Sequence, residues 1–272
     1  MRVAAFTGAC ALAVASTVAP AWAAPTTEVE VSQSAIYFTS PGDTYGPWHF
    51  TSLTIESNVD GSTYGGEVDY GTTAQLSSNI SRGTFVSLNN THNWSNTFYT
   101  FAAIGAGTAN PYPTLSAYLE ADFKTLASRR LVLSVGLGTD HYASGFSGQL
   151  LSIGGEFYWP KFVAGVRALV EQNSSSPAVL GALTTLEYDP VPGSSIVGTL
   201  QVGAQNYLSA APSLPPSRAN YQGYAAALTF KQKIGRSVGV ALGGVLQQQH
   251  DAVSGQPVFT SRGFTFGFYF EQ

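Results

Sequence analysis

The 272-residue sequence predicts an all-β protein, a transmembrane antiparallel β-barrel of about 14 strands. Three observations carry that reading. Only 10% of residues are charged, against about 25% in soluble domains, while the mean hydropathy is only +0.07. Apolar and polar residues alternate with period two in segments of about ten residues, the length of a tilted strand that crosses a bilayer. The charges in those segments fall on one phase of the alternation. A soluble β-sandwich would also alternate, but would scatter Lys and Glu over its wet face at ordinary density.

The chain opens with MRVAAFTGACALAVASTVAPAWAAP. One positive charge, an apolar stretch and the small-x-small site Ala21-Trp22-Ala23 have the layout of a secretory signal peptide, with cleavage expected after Ala23. Thr7, Gly8, Ser16, Thr17 and Pro20 weaken the stretch as a retained helical anchor, and Thr7 stands where a lipoprotein signal before Cys10 needs a leucine-like residue. Cys10 leaves with the peptide, so no disulfide or thiol chemistry is expected in the mature chain. Loss of Arg2 leaves 11 basic against 16 acidic residues, which makes nucleic acid an unsuitable partner. Residues 24–32 read as a short periplasmic segment and 33–272 as the barrel, in the outer membrane of a Gram-negative bacterium.

The strands follow in order. The first is expected at 33–40. STYGGEVDYGT comes next among the clear ones, and TLSAYLEADFK (114–124) is the clearest, with Leu115, Ala117, Leu119, Ala121 and Phe123 opposite Ser116, Tyr118, Glu120, Asp122 and Lys124. RLVLSVGLGTD, LLSIGGEFYW, KFVAGVRALVEQ, LGALTTLEYD, YAAALTFKQK and SVGVALGGVL repeat the pattern. With the more apolar phase outside, Glu56, Glu67, Asp69, Glu120, Asp122, Lys124, Asp140, Glu156, Arg167, Glu171, Glu187 and Lys231 all fall inside. The cost of Arg or Lys on the lipid face, about 2–4 kcal/mol at mid-bilayer, explains the sorting. Segments 33–40 and 83–94 are weakly patterned, so 12 strands is the alternative.

Connections alternate in length. Short ones are NVDGS, SN, TLASR, WPK, DPVPG and IGR; longer ones include PGDTYGP, NPYP, HYASGFSG, NSSSP, LSAAPSLPPSRA and HDAVSGQPV. Barrels of this class have short periplasmic turns and longer external loops. Trp94, Phe123, Trp159, Tyr188 and Phe230 stand just before short turns, as an aromatic girdle at the periplasmic interface would. The last strand, 259–270, alternates Phe264, Phe266, Phe268 and Phe270 with Gly263, Thr265, Gly267 and Tyr269. The phenylalanines are expected to face outer-membrane lipid and to be read by the barrel assembly machinery, although Glu271 and Gln272 follow the final aromatic.

Chemistry-bearing motifs are sparse. In DHYASG, His141 and Ser144 are three apart, so on a strand they face opposite sides and cannot form a base–nucleophile pair. No catalytic residue, cofactor or metal site is expected. The inward acids, of which Glu67/Asp69 and Glu120/Asp122 are i, i+2 pairs, are expected to pair with Lys124, Arg167 and Lys231, and a wet lumen would favour cations. Inward glycines at 136, 138, 154, 165, 203, 239 and 243 suggest open space, which residues 24–32 or loops 208–219 and 250–258 could partly close.

WHFTSLTIES, GSTYGGEVDYG, YPTLSAYLEADF, LVLSVGLGTDHY and IGGEFYWPKFVAGVRALVE resemble the YaiO family of outer-membrane β-barrel proteins, over roughly residues 48–270. The resemblance implies an outer-membrane barrel linked in some members to surface-polysaccharide systems, and it supplies no catalytic residues. The chain shows no tetratricopeptide region of the kind that precedes the barrel in larger polysaccharide exporters. The expected function is a narrow pore or accessory channel in envelope or surface-polysaccharide transport, working with a polysaccharide or secretion system. The alternative is a non-conducting structural barrel that binds a partner or glycan through its loops. An outer-membrane lipid hydrolase ranks third.

Overall fold

The structure is a computed structural model that describes residues 26–40, 45–75, 80–108, 112–125, 129–143, 145, 147–174, 176–205, 221–251 and 254–272. Its strands are β1 (Thr26–Thr39), β2 (Tyr45–Val59), β3 (Ser62–Gln75), β4 (Ile80–Asn93), β5 (Phe98–Gly107), β6 (Leu115–Thr125), β7 (Leu131–His141), β8 (Ser147–Tyr158), β9 (Phe162–Asn173), β10 (Ser176–Tyr188), β11 (Ser194–Gln205), β12 (Tyr221–Lys233), β13 (Val238–Asp251) and β14 (Pro257–Glu271). Each pairs antiparallel with its neighbour in sequence. Pairing of β1 with β14 closes the barrel, from Glu28 opposite Glu271 to Thr39 opposite Thr260. Closure removes the sheet edges that lipid cannot solvate.

The count is 14, and all but the last residue of the weakly patterned 83–94 stretch lies in β4, a full strand of 14 residues. The start of the barrel differs from the expectation. Residues 26–32 are not a segment ahead of the barrel but the first half of β1, which ends at Thr39. Val29 and Val31 lie on the lipid phase there, and Glu28 and Glu30 point inward, where Lys231 meets them. That ion contact makes an acidic stretch tolerable inside a wall. The last strand is also longer than 259–270, because Pro257 and Glu271 extend it. The proposed signal peptide, residues 1–23, lies outside the described residues.

Connections at the β2–β3 end are two to five residues long, and at the other end the β9–β10 connection, residues 174–175, is as short, where a longer loop was expected. At the first end β2 joins β3 through Asp60 and Gly61, with φ of 49° and 77°. Two left-handed residues in a two-residue loop match the strand twist in a type I′ hairpin, and Asp-Gly is a preferred pair for it. At the same end Trp94, Phe123 and Trp159 are exposed on the outer wall, while Tyr188 and Phe230 are half-buried. Phe98 packs on Phe123 with ring centroids 5.0 Å apart, Phe157 on Trp159 at 4.2 Å and Phe162 on Tyr188 at 4.5 Å. Phe123, Trp159 and Tyr188 thus each pack on a further aromatic residue from their own or the next strand.

The outer wall between the ends is apolar. Leu119, Leu137, Leu180, Val166 and Leu228 are exposed there, with the four phenylalanines of β14. Tyr269, on the other phase of β14, is buried. The hydrophobic side of this fold is its outside, and its interior is where function must be sought.

Candidate functional site: the barrel interior

Alternation sends every second residue of each strand into the lumen. The inward residues divide into two walls and two ends. The wall from β5 to β10 is packed and charged. Glu120 and Asp122 on β6 are completely buried, and Glu156, Arg167, Glu171 and Glu187 nearly so. Arg167 on β9 reaches past β8 and β7 to Glu120, and its second guanidinium nitrogen donates to Glu156 at 3.1 Å. Tyr118 Oη donates to Glu120 at 2.6 Å and lies 2.9 Å from Ser152 Oγ. Ser134 donates to Asp122 at 2.5 Å, and Tyr158 to Glu156 at 2.9 Å. One guanidinium with its fixed fork of donors thus holds two carboxylates. Lys124 takes no carboxylate among the described ion pairs. It lies over the Tyr99 ring, 5.2 Å from the centroid, a cation–π contact in place of the expected salt bridge.

The inward glycines of this wall do not leave the open space expected of them. A Cβ on Gly136 would fall 2.1 Å from Tyr118 Oη, and one on Gly154 would fall 2.6 Å from Arg167 Cγ. Gly136 is small because the tyrosine occupies the room, and Gly154 because the β9 backbone does as well, with Val166 O 2.2 Å from the added Cβ. Gly239, on β13, does the same for Tyr269, whose ring carbon would lie 2.0 Å away.

The wall from β11 through β14 to β2 differs at mid-height. Thr199, Ala225, Ala227, Thr229, Gly243, Thr265, Ser34, Ser32, Ser52 and Thr54 face inward and are half-buried. They are neighbours in the register: Thr229 opposes Gly243, Gly243 opposes Thr265, and Thr265 opposes Ser34. They form one continuous band of small, mostly hydroxylated side chains. Gly243 is less crowded than Gly136 or Gly154, the nearest atom to an added Cβ being Thr265 Cβ at 3.3 Å.

The loop end holds an aromatic core. Ile36, Trp48, Phe50, Phe85 and Tyr112 are buried together, with Phe38 against them. Tyr112 comes from the β5–β6 connection and enters between the walls, stacked on Phe85 with centroids 5.6 Å apart. Burial, then the carboxylates of Asp69 and Glu67, push its phenol up, so it stays neutral. Glu67 and Asp69 are buried on β3 beneath it. The sequence reading missed this core. Its signal was phase: Trp48 and Phe50 lie in step with inward Thr54 and Glu56, not with lipid-facing Leu53 and Ile55.

At the turn end a cavity of about 510 Å³ is lined by Glu28, Glu187, Asp189, Lys231, Tyr269 and Glu271, among others. Lys231 there contacts Glu30 and lies 3.5 Å from Glu28. Glu56, opposite Glu28 in the register, is half-buried. Of the remaining candidates, His141 is exposed at the end of β7, and Ser144 lies outside the described residues, as does loop 208–219.

A closed antiparallel barrel with an apolar outer wall, aromatic residues at its turn end and a polar interior is an outer-membrane β-barrel. The model of the YaiO membrane beta barrel domain matches residues 26–208, and the chain belongs to that family. No curated protein sequence matches it. Among solved structures it is similar to OccK7 (OpdD) of Pseudomonas aeruginosa, at 7% identity and a TM-score of 0.52, covering 92% of this chain and 99% of that one. It is also similar to a bacterial polysaccharide outer membrane secretin (11% identity, 90% and 97% covered, TM-score 0.48) and to the KdgM porin in complex with disordered oligogalacturonate (9%, 89% and 98%, 0.43). At these identities the likeness is one of fold.

Proposed function

We propose that this outer-membrane barrel is a narrow pore or accessory channel for a small polar solute or a glycan strand, serving envelope or surface-polysaccharide transport. The observation that carries the reading is the half-buried band from Thr199 to Thr54. Solvent reaches these inward residues while the facing wall is sealed by the Arg167 network. The passage is therefore off-centre, and its hydroxyls suit a hydroxylated solute. Inward acids outnumber inward bases, so small cations pass in preference to anions. On this reading residues 1–23 direct export, the β14 phenylalanines are the strip that the assembly machinery reads, and the barrel itself is not an enzyme.

Single-channel recording in planar bilayers tests it. The folded protein should give small, cation-preferring steps. Thr229→Trp fills the band and should cut the conductance to roughly half or less, whereas Leu228→Trp, on the lipid face, should leave it unchanged. A folded barrel that stays silent overturns the pore. The aromatic core around Tyr112 supports the second reading, a closed barrel that binds a partner or surface glycan through its loops. Silence together with glycan binding or co-purification with a secretion complex would favour it.

A further inference from the structure

The cavity at the turn end has charge left over. Four acids, Glu28, Glu187, Asp189 and Glu271, face three lysines there, and two of the lysines pair with carboxylates. Lys231 pairs with Glu28 and Glu30, Lys233 with Glu271 at 2.9 Å, and Lys161 donates to the Pro190 carbonyl at 3.0 Å. Glu187 and Asp189 line the same cavity, and no lysine or arginine pairs with either among the described residues. Glu187 lies on the inward phase of β10, and Asp189, just past the strand's end at Tyr188, lines the cavity as an exposed turn residue. Glu187 is only 5% exposed, and its Oε2 has no hydrogen-bond partner.

A buried carboxylate oxygen without a donor is costly. Two neighbouring carboxylates repel unless a proton or a cation lies between them. The cavity, at about 510 Å³, has the volume of a small-molecule pocket and far exceeds that of a bare metal ion. Ser194, Ser195 and Tyr269 add polar lining beside the acids. We propose that this turn-end vestibule is a binding site for an organic ammonium ion, held by Glu187 and Asp189. The ammonium donates to both carboxylates, and the serine hydroxyls meet the polar part of the ligand. Binding here requires no passage of solute, so it stands or falls apart from the pore.

The test is calorimetric titration of the folded barrel in detergent with spermidine, glucosamine and N-acetylglucosamine. The last two share a ring and differ in the charged amine. At least one of the two amines should bind saturably, and N-acetylglucosamine should not. The tighter of the two amines identifies the source, polyamine or amino sugar. Glu187→Gln with Asp189→Asn should weaken binding about tenfold or more, as loss of charge-assisted hydrogen bonds does. Asp189→Asn alone changes an exposed turn residue and should weaken it in the same direction without risk to folding. Asp60→Asn, which removes a carboxylate from another turn at the same end, should leave binding intact. Equal binding of the acetylated sugar, unchanged affinity in the double variant, or no saturable binding of either amine would each overturn the site.

Discussion

The wall from β5 to β10 and the wall from β11 round to β2 follow the same rule of apolar outside and polar inside, yet they solve opposite problems. In the first, Glu120, Asp122, Glu156 and Arg167 are sealed from solvent and must satisfy one another. In the second, Thr199, Thr229 and Thr265 are small enough that water can satisfy them. The difference teaches that the polar phase of a barrel strand does not by itself mean a wet lumen. Side-chain size across neighbouring strands decides. A glycine beside a tyrosine makes packing; a glycine beside a threonine makes space.

The largest effect should come from breaking the sealed wall at its centre. Arg167→Met leaves two buried carboxylates without their cation, which costs about 3–5 kcal/mol when a buried pair loses one partner. Urea titration of the protein in lipid vesicles, followed by its gel mobility shift on heating, measures this. Adding Glu120→Gln and Glu156→Gln to Arg167→Met should restore much of the loss, because what hurts is the uncompensated charge. If Arg167→Met alone were as stable as the wild type, water would have to reach the network and the contrast between the walls would fail.

The same edit made on each wall sharpens the contrast. Gly136→Ala puts a Cβ 2.1 Å from Tyr118 Oη and 2.7 Å from Ser152 Oγ. The tyrosine cannot swing aside cheaply, since Glu120 and Ser152 both hold its hydroxyl. The expected cost is about 1–3 kcal/mol, the usual range for overpacking. Gly243→Ala meets Thr265 Cβ at 3.3 Å, with Thr229 Oγ1 at 3.6 Å and Leu228 O at 3.7 Å in ordinary contact. It should be near neutral, with the strain of a few tenths of an ångström offset by the lower chain entropy of alanine when unfolded. Equal losses at the two sites would mean that the β11–β2 wall is packed as tightly as its opposite.

Much of this architecture was legible in the sequence because lipid punishes errors of phase. Strand number, closure of the first strand on the last, the inward course of the charges and the facing of Phe264 to Phe270 all follow from period two. The contacts inside the barrel were less legible. That Arg167 reaches Glu120 depends on wall curvature across two intervening strands, which no local pattern encodes. The aromatic core was hidden because aromatic residues at strand ends also build girdles, and only their phase separates Trp48 from Trp94. The start of β1 was hidden because Glu28 and Glu30 read as solvated charge until Lys231, about 200 positions away, is brought beside them. The vestibule was hidden for the same reason: five strand or turn ends, distant in sequence, converge on it.

The smallest effect compares the deletion of one hydroxyl on each wall. Ser134 donates to Asp122, which is fully buried, and Ser134→Ala takes that donor from a carboxylate that has no access to water. The expected loss is about 1–3 kcal/mol, the penalty for an acceptor left unsatisfied. Thr199→Val removes a hydroxyl from the half-buried band while keeping the branched shape that strands favour. On the pore reading lumen water serves its hydroxyl, so stability should change by less than about 0.5 kcal/mol. The threonine substitution should show itself elsewhere, as a lower conductance, because a methyl replaces a hydroxyl on the wetted band. The serine substitution should leave conductance nearly as it was, since Ser134 faces no water. A reversal of the two readouts would exchange the roles of the walls and move the passage to the side of β7.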